Sequence, residues 1–256
     1  MSNIDTTYGL RRGDLPFDQA VALGSVPSWG HFRKFAMNPD VDAGTEQIWP
    51  PGTIQVLPTA AGTASVVSSL AADDAASTGA REIIVFGLDA NYSLVQETVT
   101  MDGLTPVVTS QSFLRIYRAY TTAVGSGGVN AGNISISIGG NLQAYIEASE
   151  GQTHISQYTV PADKFLLLTD FYAQVGRTGA NDLAVQFQVR TYNENSTDNY
   201  NSWLSVLDGY PYEGTLTVDG VFIVPSKADI RVLATAAGSN MNMAVEYHGY
   251  IVDTPP

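Results

Sequence analysis

The sequence has 256 residues, of which 44% are hydrophobic and only 14% charged, and its formal net charge is −13. Twelve scattered lysines and arginines are too few to neutralise the phosphates of a duplex, so the composition excludes a nucleic-acid-binding role. The absence of cysteine excludes disulfides, thiolate metal sites and a cysteine nucleophile. This length allows two β-sandwiches of about 100 residues each and a leading segment.

The low charge leaves two interpretations open. One is a threonine-rich β protein with an ordinary surface. The other is a protein whose surface is largely covered by partners, because interface cores are depleted in charged residues. The N-terminus has no apolar h-region and no apolar run approaches about 18 residues, so we expect neither a cleaved secretion signal nor a membrane partner. We therefore expect the protein to be made in a cytoplasm and to reach its destination by lysis, assembly or another route.

Residues 1–52 differ from the rest of the chain. They show no sustained period of 2 or 3.6, and five prolines at this density predict an irregular N-terminal arm, with a short helical turn near Phe17–Leu23. The arm is nevertheless rich in aromatic residues, which need a surface to lie on. It either wraps its own domain or reaches a neighbouring subunit, with these candidate contacts: Phe17, Trp29, Phe32, Phe35 and Trp49.

From residue 53 to residue 148, strand signals recur at the spacing of a sandwich. Strict alternation at 133–138 predicts one buried face made of Ile134, Ile136 and Ile138. The dipeptide Asp102–Gly103, with strand residues on both sides, predicts a β-hairpin. These residues form the first predicted sandwich.

Residues 149–256 show a second strand series. Alternation at 183–191 predicts Val185, Phe187 and Val189 inside, and Gln186, Gln188 and Arg190 outside. Near the C-terminus, Val245 and Tyr247 share one face while Glu246 and His248 take the other. The predicted fold is therefore all-β: two consecutive antiparallel β-sandwich (jelly-roll-like) units preceded by the arm.

Motifs of known chemistry are missing from the sequence. His31, His154 and His248 lie far apart and in no zinc-ligand spacing. No nucleophile elbow or phosphate-binding loop is present. Residues 40–46 hold several carboxylates but lack the positions of a calcium loop. We therefore assign no catalytic, cofactor-binding or metal residue and expect a protein that is not an enzyme.

A group of aromatic residues surrounds the long polar loops of the second unit. Aromatic rings on loops over a rigid sandwich can stack on sugar rings, although loop packing or a subunit contact is the favoured explanation. The candidates for glycan contact are Tyr192, Tyr200, Trp203, Tyr210 and Tyr212.

Several stretches resemble a family of tailed-bacteriophage virion proteins, and together they span roughly residues 30–253. The resemblance rests on turn and strand signatures, and this chain departs from the family pattern around Tyr192–Tyr212. No functional residue can be assigned from it. It implies a structural role in the particle. The stretches are Phe32–Pro50, Thr63–Thr109, Phe113–Ile136, Tyr158–Gly176, Phe222–Asn240 and Met243–Asp253.

The resemblance, the aromatic arm and the missing chemistry together lead to one main hypothesis. The chain would be a capsid cement or decoration protein in the virion, binding the major capsid protein as a closed homo-oligomer, with a trimer favoured. The alternative is a tail or fibre component that binds host-surface glycan through the loop aromatics.

Overall fold

The structure, a computed structural model, describes residues 4–5, 10–11, 15–177, 185–192, 202–209, 215–237 and 241–254. Their regular structure is almost all β-strand, which confirms the all-β prediction. One short helix, α1 (Phe17–Ala22), lies where the helical turn is predicted. Among the described residues, no helix is both long and apolar enough to cross a membrane.

The strands fall into two series separated by an irregular stretch after residue 146. The first series is β1 (Ile4–Asp5), β2 (Leu10–Arg11), β3 (Trp29–Val41), β4 (Gly44–Gln47), β5 (Gly62–Ser68), β6 (Ala80–Leu88), β7 (Leu94–Thr100), β8 (Val107–Phe113), β9 (Arg115–Val124), β10 (Ile134–Ile138) and β11 (Asn141–Ile146). The second is β12 (Tyr158–Thr159), β13 (Lys164–Arg177), β14 (Val185–Tyr192), β15 (Ser202–Gly209), β16 (Thr215–Val224), β17 (Asp229–Ala236) and β18 (Met241–Asp253).

The first unit contains two antiparallel sheets, ordered β11-β10-β5-β8 and β7-β6-β9. One apolar cluster, the first core, draws residues from both sheets and lies entirely within residues 64–146. The predicted alternation in β10 is confirmed, since Ile134, Ile136 and Ile138 are all buried. Burying alternate residues of both sheets is what holds the two sheets together.

The second unit also contains two antiparallel sheets, β12-β17-β14-β15 and β16-β13-β18-β3. Its apolar cluster, the second core, includes Val185, Phe187, Val189, Val245 and Tyr247, as predicted. Gln188 is an exception, because it is buried rather than exposed. Its amide hydrogen-bonds to two strand neighbours, Gln186 and Arg190, which satisfies its polar atoms.

The prediction of an irregular arm is wrong for residues 29–41. These residues form β3, a regular edge strand paired with β18 from Trp29↔Val252 to Val41↔Met241. The proline that argued against a strand, Pro39, lies where the register shifts between Asn38↔Met243 and Val41↔Met241. An edge strand with a bulge tolerates proline, because no ladder hydrogen bond is lost there.

The segment after β3 joins the two sheets of the second unit. Ile48 N donates to Val232 O of β17 at 3.0 Å, and the hydroxyls of Thr45 and Thr235 lie 2.8 Å apart. Residues 29–48 therefore contact both sheets around the second core. The predicted boundary at residue 52 assigns residues 29–48 to a separate arm, although they contact both sheets of the second unit.

The hairpin prediction at Asp102–Gly103 is also wrong. The strands on either side, β7 and β8, belong to different sheets of the first unit. The turn is instead held by the preceding loop, because Gly103 N donates to Asp73 O at 2.7 Å. Gly103 has a φ of 54°, which suits glycine, and this permits the crossing between sheets.

A buried ion pair joins the two units. The guanidinium of Arg115, at the start of β9, binds both carboxylate oxygens of Asp229 at 2.9 and 3.0 Å. Arg115 also donates to Pro58 O at 2.6 Å, and Asp229 accepts from the hydroxyl of Thr159. Both charged side chains are almost fully buried, so each depends on the other for solvation.

Candidate functional site: the outer face of the β3 sheet

Alternation along β3 divides its side chains between two faces. Lys34, Ala36 and Asn38 are buried, whereas His31, Arg33 and Phe35 are exposed. In an antiparallel pair, directly opposed residues share a face. We define the outer face as the side of the sheet that carries His31, Arg33 and Phe35, together with the residues opposite them on β18, β13 and β16.

The register places matching residues of four strands on the outer face. In β3 and β18, His31, Arg33 and Phe35 lie opposite Tyr250, His248 and Glu246. Tyr250 is opposite Leu167 of β13, which is opposite Ile223 of β16. Ile223 and its neighbour Val221 are 66% and 70% exposed, so the β16 edge of this face is apolar and open to solvent.

Helix α1 covers one end of the outer face. The ring of Phe17 packs edge-on against Trp29 at 5.2 Å and Tyr250 at 5.3 Å between centroids. The same helix is fixed by polar contacts, since Asp18 accepts hydrogen bonds from the Tyr250 hydroxyl and from His31 Nε2. Phe17 remains 48% exposed, so this aromatic group is held in place yet accessible.

Arg33, Glu246 and His248 form the polar centre of the outer face. Arg33 donates to Glu246 Oε1, and His248 Nε2 lies 2.8 Å from the same oxygen. Burial alone would raise the pKa of Glu246, but the hydrogen bonds and charges of Arg33 and His248 outweigh it and lower that pKa. Glu246 is therefore a carboxylate at neutral pH and bridges the other two side chains.

Two adjoining grooves lie on this face and share His248. The larger, about 570 Å³, is lined by residues that include Phe35, His154, Tyr172 and Glu246. The smaller, about 320 Å³, is lined by residues that include His31 and Asp170. The fold thus gathers all three histidines of the sequence beside one surface. Among the described residues, no group of three or more acidic or histidine side chains is arranged to hold a metal ion.

The five contact candidates from the N-terminal segment separate in the structure. Phe17, Trp29 and Phe35 meet the outer face, and their contact with another subunit stays a prediction. Phe32 turns inward and packs 4.6 Å from the Tyr158 ring. Trp49 is only 1% exposed and donates from Nε1 to Thr53 O at 2.7 Å. The prediction of Trp49 as a partner contact is wrong, because its ring is enclosed by its own chain.

The glycan candidates are only partly placed. Tyr192 ends β14 and Trp203 lies in β15. The register pairs Arg190 with Trp203 and Thr191 with Ser202, so the two aromatic positions lie at the same end of neighbouring strands. Tyr200, Tyr210 and Tyr212 lie outside the described residues.

Sequence reasoning missed the histidine and arginine part of the outer face. The alternation of Glu246 and His248 against Val245 and Tyr247 was a usable signal for β18. The matching alternation in β3 was present in the sequence but was hidden by the expectation that prolines exclude a strand. Which two strands pair is fixed only by the tertiary fold.

No protein-family model and no curated protein matches this chain. Among solved structures, a chain of the T13 particle of infectious bursal disease virus is 10% identical with a TM-score of 0.23, over 93% of this chain and 75% of that chain. The VP2 subviral particle of the same virus gives 10% identity and a TM-score of 0.23, over 93% and 78%. TM-scores this low are found between chains of different fold, so these likenesses carry no argument about function.

Proposed function

We propose that this chain is a non-enzymatic structural protein of a virus particle, a cement or decoration protein that binds the shell through the outer face. The observation that carries the proposal is the make-up of that face: exposed Phe17, Phe35, Val221 and Ile223 surround the paired charges of Arg33 and Glu246. Apolar anchors beside satisfied polar groups are typical of protein interfaces. The sequence resemblance to tailed-phage virion proteins supports the same role.

The proposal includes the finer architecture and assembly. Each unit is a two-sheet sandwich of jelly-roll type, and copies associate with closed symmetry, a trimer being favoured. The partner in the particle is the major capsid protein. Sandwiches clamped across joints between capsid subunits would add buried area at each joint.

The test uses particles of the virus that carries the coding sequence, together with shells that lack the protein. We expect mass spectrometry to find the chain in purified particles. Phe35→Ser or Ile223→Ser should weaken binding to the bare shells about tenfold, the usual effect of losing an interface anchor. The matched control is Leu104→Ser, at an apolar residue of the first unit that is 60% exposed, close to the 66% of Ile223, and this variant should bind normally. Equal binding by all three variants would remove the outer face from the proposal.

The same protein can be tested for the alternative role. Tyr192 and Trp203 lie at one end of adjacent strands, so a glycan surface there is a defined second candidate. Two results together would favour a tail or fibre component over a decoration protein. The wild type would bind a glycan on an array and Trp203→Ala would not, and the wild type would not bind particle shells.

A further inference from the structure

A second surface feature is a groove between residues 31–34 of β3 and the first unit. A groove of about 290 Å³ is lined by Lys34 from β3, Arg118 from β9 and Lys164 from β13, with Arg33 at its rim. These are four of the 12 lysines and arginines in a chain of net charge −13. We call it the basic groove.

The floor of the basic groove is a buried cation. Lys34 is 9% exposed, and its ammonium donates to the carbonyl oxygen of Tyr117 and lies 5.9 Å from the Tyr117 ring. No carboxylate among the described residues lines the groove. A buried ammonium held by one carbonyl and one ring has lost most of its hydration without gaining a counter-ion.

The cations at the rim differ in how they are paired. Arg33 binds Glu246, and Lys164 binds Asp253 at 2.6 Å. Arg118 is exposed and lies over the ring of Tyr120, 5.0 Å from its centroid, with no acidic partner among the described residues. Lys34 of β3 and Arg118 of β9 therefore present two basic side chains from different units to the same space.

We propose that the basic groove binds a carboxylate carried by a segment of a partner polypeptide. One oxygen would accept from the Lys34 ammonium at the floor and the other from the Arg118 guanidinium at the rim. Leu94, Tyr158 and Ile251 line the groove as well, which suits a carboxylate flanked by apolar atoms. A nucleic acid does not fit, because a polyanion is repelled by the net charge of −13 and exceeds this volume.

The site has a pH signature that follows from its surroundings. Burial, and then the nearby charge of Arg118, lowers the pKa of Lys34 to about 7. A bound carboxylate favours the ammonium and raises that pKa again. Below the pKa the cation is already present, whereas above it binding must take up a proton, so affinity falls as pH rises. The other ionisable side chains of the groove are His31, Arg33, Arg118 and Lys164, together with Tyr117 and Tyr158, whose pKa values burial raises.

The sequence makes this measurable, because Lys34, Lys164 and Lys227 are its three lysines. The probes are 3-phenylpropionate and its uncharged, equally shaped amide, followed by NMR of the lysine side chains in the full chain. We expect the carboxylate to bind at least about tenfold more tightly than the amide and to raise the pKa of Lys34. Its affinity should be about tenfold lower at pH 9 than at pH 6.

Two variants and a control keep the test decisive. Lys34→Met should weaken carboxylate binding about tenfold, and Arg118→Met should weaken it by a smaller factor. Lys227→Met, which makes the same charge change outside the groove, should leave it unchanged. Arg118 is exposed, so its variant remains informative if Lys34→Met fails to fold. Equal affinity for acid and amide, or no loss in either variant, overturns the site, and tighter binding of inorganic phosphate overturns the assignment to a carboxylate.

This inference does not rest on the proposed function. His31 and Arg33 line both surfaces. Phe35 does not line the basic groove, and Lys34 and Arg118 do not lie on the outer face, so variants at these three residues test the two surfaces apart. Loss of shell binding in Phe35→Ser with normal carboxylate binding would keep both proposals. If Phe35→Ser binds both the shell and the carboxylate normally, the outer-face proposal fails and the basic-groove proposal stands.

Discussion

The two units of this molecule are built from the chain in different ways. The first core lies within one continuous stretch, residues 64–146. The second core combines residues 158–247 with Ala36, Val41 and Ile48, which precede the first unit in sequence. The first core is therefore built from one continuous stretch of chain, whereas the second core needs a strand that precedes the whole first unit in sequence.

Because of this difference, the second unit has a larger entropic cost of folding than the first. The ladder between β3 and β18 joins residues about 200 positions apart, from Trp29↔Val252 to Val41↔Met241. Closing so long a loop is entropically unfavourable, and contacts of this range slow folding. The compensating gain is burial, since β3 and the following segment contact both sheets around the second core.

The largest effect should come from removing this segment. We expect a chain lacking residues 1–48 to lose the cooperative folding of the second unit, because the edge of β18 and part of the second core become exposed. Leaving core positions such as Ala36, Val41 and Ile48 unfilled should cost more than ~5 kcal/mol in total. Hydrogen exchange of the β13 and β18 amides measures the loss.

The matched control is a chain lacking residues 1–14, which keeps α1 and β3. It should retain full protection in β13 and β18. Amides of β6 and β10 in the first unit should stay protected in both truncated chains. If the shorter chain protects β18 as well as the control does, the second unit does not need its N-terminal strand and the comparison fails.

The sequence predicted local alternation correctly in both units, but it missed features that depend on segments far apart in the chain. Local alternation in β10 placed Ile134, Ile136 and Ile138 correctly, because their burial depends on neighbours close in sequence. β3 was missed since Pro39 is acceptable only at a bulge of an edge strand, and neither the bulge nor the edge is visible in one sequence. The Asp102–Gly103 turn was misassigned because the loop that holds it lies about 30 residues earlier.

The next effect concerns the junction of the two units. Arg115→Met leaves Asp229 buried without its cation, and breaking a buried pair in this way typically costs ~3–5 kcal/mol. The free energy of unfolding should fall by that amount, measured by urea denaturation. Arg118→Met removes the same charge from an exposed position of the same strand and should change stability little.

The pair also tests whether the two units unfold together. Asp229→Asn in the Arg115→Met background should recover part of the loss, because an uncharged amide can still accept from Thr159. If Arg115→Met lowers stability no more than Arg118→Met does, the ion pair is not what couples the units.

The candidate surfaces show a similar limit of sequence reasoning. Aromatic residues marked the correct segment for the outer face, but only the strand alternation separates Phe35 from Phe32. The basic groove had no signal at all, since Lys34 and Arg118 lie 84 residues apart and meet only where the units join. Surfaces made by one strand can be predicted in part, whereas surfaces between units cannot.

The smallest effect should be confined to the first unit. Asp73 is fully buried, and its carboxylate accepts from the Ser68 hydroxyl and from the backbone N–H groups of Ala80, Ala131 and Gly132 at 2.6 to 2.8 Å. Asp73→Asn keeps the shape but turns one acceptor oxygen into a donor. Buried N–H groups are then left unpaired, which should cost ~2–3 kcal/mol.

The comparison predicts where this loss appears. Because all four partners lie within the first unit, hydrogen exchange should accelerate at Ala80, Ala131 and Gly132 while the β18 amides stay protected. Asp74→Asn, the same change at the neighbouring and less buried residue, should cost little, since the Asp74 side chain accepts only from Ala76 N. Equal loss of protection in β18 would mean that the two units unfold as one, whatever their different construction from the chain.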